Sequence, residues 1–170
     1  MASQIVTLTV NGAEKEFIAQ PSTTLLMALR DSLRLTAAKR GCAQGACGSC
    51  TVLLDGEPVV SCVVPVVTVD GATVETLEGR APDGELDSVQ QAFVDGFATQ
   101  CGFCTSGMIM SAEALLTRNA DPTRDEVVEA ISGNVCRCTG YEPIVRAILN
   151  AAGRKRQHAD AEPTAVGGEL

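Results

Sequence analysis

Three cysteines lie close together in segment 41–50, and a fourth follows after a further spacer of eleven residues. Cys42, Cys47 and Cys50 have the spacing C-x4-C-x2-C, and Cys62 is the fourth. Thiols at these intervals cannot share one face of a helix or a strand. Their sulfur atoms can converge only if the backbone forms a tight loop. The glycines interleaved with these cysteines supply the positive φ that such a loop requires.

This ligand spacing is typical of plant-type [2Fe–2S] centres, which are held by four thiolates. Structural zinc sites favour paired C-x2-C motifs, so the longer first spacing with its glycines fits zinc less well. A disulfide set is not favoured, because the sequence begins without a secretory leader. Inert buried cysteines would not be spaced so regularly. The first set therefore predicts an iron–sulfur cluster.

A second set of four cysteines lies in the C-terminal half, as Cys101-x2-Cys104 and Cys136-x-Cys138. Taken alone, this combination is ambiguous, because zinc also accepts four sulfur ligands. The ferredoxin-type loop in the same chain favours a second [2Fe–2S] cluster over zinc.

The composition excludes several classes of partner. The chain has a net charge of −8 and is 3% aromatic, which argues against nucleic acid or an anionic membrane as partner. We find no G-x-G-x-x-G and no P-loop motif, so a flavin, nicotinamide or nucleotide would need another polypeptide. Regularly spaced cysteines without a leader predict a cytoplasmic chain that binds metal.

The elements of the N-terminal part must position the first set. Residues 5–10 alternate between apolar and polar, and Asn11-Gly12 is the preferred type I′ pair, so a β-hairpin is predicted. Residues 21–23 predict the start of a helix that leads toward the cysteine loop. Two further strands follow the loop, and Cys62 is expected on the second of them. We assign residues 1–77 to this ferredoxin-like domain.

Helical periodicity replaces strand alternation after a turn-rich stretch at residues 79–84. Four short amphipathic helices are predicted, the third of which opens with a capping box of Thr123 and Glu126. The second set of cysteines falls in the loops between these helices. We assign residues 78–153 to a helical domain and expect residues 154–170, including His158, to form a disordered tail without a functional role.

The two sets together resemble the small iron–sulfur subunit of the molybdenum hydroxylases, the xanthine dehydrogenase and aerobic carbon monoxide dehydrogenase family. The resemblance covers residues 3–153 and includes the motifs QCGFCTSGM from Gln100 and GNVCRCTGY from Gly133. It implies an α+β chain in which a β-grasp, ferredoxin-like [2Fe–2S] domain precedes a four-helix [2Fe–2S] domain. One departure is Ser106, where the family has proline, and we expect it to soften the start of that helix.

The resemblance also implies a function. The chain would be an electron-transfer subunit without catalytic residues or a substrate site of its own. It would link a molybdopterin-type molybdenum cofactor in a large subunit to FAD in a medium subunit, within a dimer of heterotrimers. All eight cysteines would be metal ligands, and Gln100 and Cys138 would contact the pterin.

Two other functions compete with this one. A free-standing, diffusible ferredoxin would suit the acidic charge, but it needs only the first domain. A zinc-stabilised adaptor would have no redox role, and its lack of colour would distinguish it from a red-brown [2Fe–2S] protein. The substrate stays open among carbon monoxide, purines, N-heterocycles, aldehydes and aromatic thioesters, because in this family its pocket lies in the large subunit.

Overall fold

The structure, a computed structural model, describes residues 2–81 and 83–161.

The first element of the fold is the predicted β-hairpin. Strand β1 (Gln4–Val10) pairs antiparallel with strand β2 (Ala13–Ala19). Asn11 and Gly12 join them with φ angles of 50° and 78°, as a type I′ turn requires. Val6, Leu8 and Val10 are buried on one face of β1, so the predicted alternation is confirmed, whereas Ile5 lies on the other face and is exposed.

Three further strands complete a mixed five-stranded sheet. They are β3 (Thr51–Leu54), β4 (Glu57–Val60) and β5 (Thr73–Glu75), and the strand order is β2-β1-β5-β3-β4. Strand β5 runs parallel to β1 and antiparallel to β3. This arrangement, with a helical crossing between β2 and β3, is the β-grasp fold that was expected.

The helical crossing differs in detail from the prediction. Helix α1 (Leu25–Met27) is capped by Thr24, whose hydroxyl accepts a hydrogen bond from the Met27 N–H at 3.2 Å. The cap is therefore the residue directly after the predicted segment 21–23. The helix continues as a π-helical turn, Ala28–Ser32. Leu25, Leu26 and Leu29 are buried against the sheet, and this packing anchors the segment that leads into the cysteine loop.

Cys62 does not lie on a strand, so that expectation was wrong. Strand β4 ends at Val60, and Cys62 lies in the 3-10 turn Ser61–Val63 that follows. The Ser61 hydroxyl donates to the Cys50 carbonyl oxygen at 2.7 Å, and this bond bends the chain back toward the loop. The fourth cysteine of the first set is therefore still tied to the sheet.

The second half contains the four predicted helices: α2 (Ser88–Asp95), α3 (Thr105–Arg118), α4 (Arg124–Ala130) and α5 (Glu142–Ala161). Thr123 and Glu126 form the predicted capping box at the start of α4. Ser106 does not prevent α3 from beginning at Thr105, directly after Cys104. The apolar faces of the helices share one core.

The last helix is longer than predicted. Helix α5 continues to Ala161, so residues 154–161 are helical and were wrongly included in the expected tail. The basic side chains of its extension pair with acidic groups of α2, of α3 and of the loop after α3, as Arg154 does with Asp95 at 2.6 Å. Residues 162–170 lie outside the described residues. Among the residues that the structure describes, no helix is long and apolar enough to cross a lipid bilayer.

The two halves have separate cores joined by a small third one. Leu53 of β3 packs with Met110 and Ala114 of α3 in this shared cluster. Between the halves, Arg80 pairs with Glu75 at 2.8 Å and lies 3.9 Å from the buried carboxylate of Glu113. Helix α3 thus packs directly on the sheet, while the boundary at residues 77 and 78 stays a prediction.

Candidate iron–sulfur sites

The first set of cysteines lies in an irregular loop between the π-helical turn and β3. Ala43, Gly45 and Gly48 have positive φ angles of 54°, 80° and 68°, which wind the loop tightly. The backbone N–H groups of Gln44 and Ala46 point at the Cys42 sulfur, at 3.5 and 3.3 Å. The loop thus provides amide donors around a sulfur atom.

The thiols of this loop differ in acidity. The N–H groups of Gln44 and then Ala46 lower the pKa of Cys42 to about 6, because they stabilise the thiolate. Burial raises the pKa of Cys50 to about 11. The thiolate is the form that binds metal, so metal binding at Cys50 must displace a firmly held proton.

The second set lies at one end of the helical half. Cys101 and Cys104 occupy the loop between α2 and α3, and Cys136 and Cys138 occupy the loop between α4 and α5. The sulfur atoms of Cys101 and Cys138 are 3.6 Å apart, and both residues are exposed. Cys104 and Cys136 are buried beneath them. The prediction that the two loops share one end of the bundle is confirmed.

Hydrogen bonds and burial act in opposite directions on these thiols. Burial raises the pKa of Cys104 to about 12. Burial also opposes ionisation of Cys136, but several hydrogen bonds outweigh it, above all those of the Thr139 hydroxyl at 3.0 Å and the Thr139 N–H, so the pKa of Cys136 is lowered. The Cys136 N–H donates to the Tyr141 hydroxyl at 2.9 Å, which fixes the ligand loop to the start of α5.

The eight thiols contact one another in four pairs. The pairs are Cys42 with Cys47, Cys50 with Cys62, Cys101 with Cys138, and Cys104 with Cys136. Across residues 2–81 and 83–161, no three Cys, His, Asp or Glu side chains converge on a single metal position. A [2Fe–2S] cluster has two irons and four thiolates, so each iron needs one pair. The donor set therefore fits two binuclear clusters, and the assignment of individual ligands stays a prediction.

Gln100 lies beside the exposed pair. It directly precedes Cys101 and is itself exposed, so its amide and the Cys138 sulfur lie at the same end of the helical half. Ser106 is buried, and its hydroxyl donates to the Ala37 carbonyl oxygen at 2.6 Å. This bond, which links α3 to the segment before the first cysteine loop, was not predicted.

The two sites meet through the backbone. The Val135 N–H donates to the Cys47 carbonyl oxygen at 2.9 Å, and Asn134 donates to the Gly48 carbonyl oxygen at the same distance. Asn134 lies within the motif GNVCRCTGY, and no role was predicted for it. The available signal was the position of a polar amide two residues before the ligand Cys136.

The fold and the paired thiols define a two-domain protein with two [2Fe–2S] sites. Comparisons with known families agree. Residues 8–80 match the family model described as "2Fe-2S iron-sulfur cluster binding domain". Residues 73–149 match the one described as "[2Fe-2S] binding domain".

Named relatives narrow the class further. The small FeS subunit of nicotinate dehydrogenase from Eubacterium barkeri is 45% identical over 88% of this chain and 95% of its own length. Aldehyde oxidoreductase from Megalodesulfovibrio gigas is also 45% identical, over 85% of this chain but 16% of that longer protein. The crystal structure of quinoline 2-oxidoreductase from Pseudomonas putida 86 contains a chain that superposes with a TM-score of 0.87 at 44% identity, covering 91% of this chain and 97% of that one.

The chain belongs to the family of small iron–sulfur subunits of molybdenum hydroxylases. It carries two [2Fe–2S] clusters and is an electron-transfer subunit of an oxidoreductase complex that includes a large partner subunit. The resemblance stated from the motifs is thereby confirmed.

Proposed function

We propose that this chain connects the molybdenum cofactor of its large partner subunit to FAD in a medium subunit. When bound, each [2Fe–2S] cluster accepts and releases one electron, and the protein adjusts its potential. The ferredoxin-like cluster would be held by Cys42, Cys47, Cys50 and Cys62. The helical cluster would be held by Cys101, Cys104, Cys136 and Cys138.

The exposure of the thiols supports an orientation. In the helical half, Cys101, Cys138 and Gln100 are exposed together, so this end would face the molybdenum cofactor. The Gln100 amide offers donors and an acceptor to the edge of the pterin, and Cys138 would contact it as well. In the first half, Cys42 and Cys47 are only partly covered, so this loop would face the flavin subunit.

One observation carries the proposal. The Val135 N–H to Cys47 carbonyl hydrogen bond, at 2.9 Å, joins a ligand of one site to the residue preceding Cys136, a ligand of the other. A chain built as two independent carriers would not need its ligand loops in contact. Backbone N–H donors surround Cys42, whereas Cys104 is buried, so the two clusters would also differ in potential.

The relatives support a role that does not involve substrate contact. The matched small subunit of nicotinate dehydrogenase and the matched part of aldehyde oxidoreductase are each 45% identical to this chain, although their names indicate different substrates. We further propose that the complex is a dimer of heterotrimers in the cytoplasm. Eight reduced cysteines suit the reducing conditions of that compartment.

Metal analysis and EPR of the purified complex test the two-cluster assignment. We expect about four Fe and four sulfide per chain, because each [2Fe–2S] cluster contains two of each. Dithionite reduction should give two distinguishable EPR signals, and a larger subunit with molybdenum should co-purify. A colourless chain with stoichiometric zinc would contradict the proposal.

The Gln100→Ala variant tests the orientation. Both clusters should remain, because Gln100 supplies no ligand, while their reduction by substrate should slow. The variant would lose a hydrogen bond to the pterin that is worth about 1 kcal/mol, or about 3 kcal/mol if a buried partner is left unpaired. Wild-type stopped-flow rates with an unchanged molybdenum content would show that Gln100 is an ordinary surface amide.

A further inference from the structure

Asn134 is a buried amide with every polar atom engaged. Its side chain is almost fully covered, since the residue is 4% exposed. Its Oδ1 accepts from the Ser111 hydroxyl at 2.8 Å. Its Nδ2 donates to the Gly48 carbonyl oxygen at 2.9 Å and to the Thr51 hydroxyl oxygen at 3.3 Å. An asparagine amide has two N–H donors and one carbonyl acceptor, so each group has a partner.

These bonds cross between the two halves of the chain. Ser111 belongs to α3, whereas Gly48 and Thr51 flank Cys50 in the first half. The contact is close, because a Cβ atom at Gly48 would lie 2.4 Å from the Gly133 carbonyl oxygen and 2.6 Å from the Asn134 Nδ2. The Asn134 amide therefore contacts the backbone at Gly48 directly, because Gly48 has no side chain to lie between them.

The position of Asn134 in the chain gives this contact its consequence. The next residue, Val135, donates its N–H to the Cys47 carbonyl oxygen at 2.9 Å, and the residue after that is Cys136. The contact between Asn134 and Gly48 therefore lies two residues from Cys136 on one side and two residues from Cys50 on the other. Ser111 fixes the other side of the amide to α3, whose first residue directly follows Cys104.

We infer that Asn134 is a positioning residue that sets the separation of the two cluster sites, and hence the rate of electron transfer between them. This inference rests on the proposed function, in which both sites carry clusters. An amide suits the position because its N–H groups donate to Gly48 and Thr51 while its oxygen accepts from Ser111. A carboxylate would present oxygen to the Gly48 carbonyl oxygen, and an alkyl side chain would leave the Ser111 hydroxyl without its acceptor.

Asn134→Ala in the purified complex tests the inference, with Asn119→Ala as the matched control. Asn119 donates to Glu126 at 3.1 Å, a bond that stays within the helical half. Hydrogen–deuterium exchange at the Val135 amide should rise about fivefold or more in Asn134→Ala, which corresponds to about 1 kcal/mol. The magnetic dipolar splitting between the two dithionite-reduced clusters should shrink, because it falls steeply with distance. Both readouts should stay at wild-type values in Asn119→Ala.

Ser111→Ala is the milder variant, since it removes one of the three bonds and leaves Gly48 in contact. It should shift both readouts in the same direction by a smaller amount. If Asn134→Ala fails to assemble, Ser111→Ala decides the matter, and its unchanged exchange and splitting would overturn the inference. Unchanged values in an assembled Asn134→Ala would overturn it as well.

The two readouts separate this inference from the proposed function. Exchange at Val135 measures the contact between the loops and needs no iron. A wild-type chain without iron would refute the two-cluster function, and the exchange comparison would still test whether Asn134 holds the loops together. Two normal EPR signals with unaltered exchange in Asn134→Ala would refute the role of Asn134 alone.

Discussion

Gly107 and Gly48 touch backbone to backbone across the two halves of the chain. A Cβ atom on Gly107 would lie 2.2 Å from the Gly48 carbonyl oxygen, which is far inside van der Waals contact. Helix α3 can approach the first cysteine loop this closely because Gly107 has no side chain, while the missing Cβ of Gly48 makes room for Gly133 and Asn134. The spacing of the two sites thus depends on two glycines as well as on hydrogen bonds.

Gly107→Ala should therefore destabilise the chain by about 1–3 kcal/mol, the usual cost of adding a methyl group to a packed contact. Gly133→Ala is the matched control, because a Cβ there would meet nothing within 4 Å. Urea denaturation of the two variants measures the difference. Equal midpoints would mean that α3 can shift away from the loop at no cost.

Each set of cysteines should serve its own cluster. Cys50→Ser should abolish one EPR signal and leave the other, because Cys50 pairs with Cys62 and contacts no thiol of the second set. Cys104→Ser should have the reverse effect, since its partner is Cys136. The loss of both signals in a folded Cys50→Ser variant would contradict this division of the ligands.

The buried carboxylate of Glu113 should make Lys155 important for stability. The two side chains are 2.9 Å apart, and the Glu113 side chain is 3% exposed. Lys155→Met would leave this carboxylate with the more distant Arg80, so we expect a loss of about 3 kcal/mol in the free energy of unfolding.

The control for Lys155→Met is Arg118→Met, which breaks an exposed pair with Glu57 and should cost less than about 1 kcal/mol. Chemical denaturation followed by helical circular dichroism compares the two variants. Similar losses would show that water reaches Glu113 in solution.

The start of α5 should respond to acid. The Arg124 guanidinium above all, and Arg146 to a smaller extent, hold the pKa of Glu142 below its usual value. A carboxylate with a lowered pKa stabilises the fold above its unfolded-state pKa of about 4.3, and this contribution is lost as the pH falls through the folded value.

Glu142→Gln should therefore lower the melting temperature at neutral pH, and the difference from wild type should shrink below about pH 4.3. Melting curves recorded across this range provide the measurement. Arg124→Gln, which removes the nearest partner at 2.7 Å, should reproduce the effect. A difference that is independent of pH would assign the effect to packing and not to charge.

Local patterns explain what could be predicted from the sequence. The cysteine spacings, Asn11-Gly12 and the Thr123–Glu126 box each depend on residues close together in the chain, so their structures follow from short-range chemistry. The same holds for the helical periodicity of the second half, which predicted all four helices.

What escaped prediction depends on distant residues. The extension of α5 is stabilised by pairs such as Arg154 with Asp95, and the turn at Cys62 is bent by the bond from Ser61 to Cys50. The contact of Asn134 with Gly48 joins positions 86 residues apart. No spacing rule connects such residues, so their roles become visible only once the two halves are packed together.

The central position of β5 has a consequence for synthesis on the ribosome. Strands β1 and β2 form one hairpin and β3 and β4 another, and β5 lies between them as the last strand to be made. Until residues 73–75 leave the ribosome, the two hairpins have no strand to join them, and each presents an open edge. The chain must therefore be synthesised beyond residue 75 before the sheet beside the first cysteine loop can close, so we expect iron to enter a fully folded loop only after that closure.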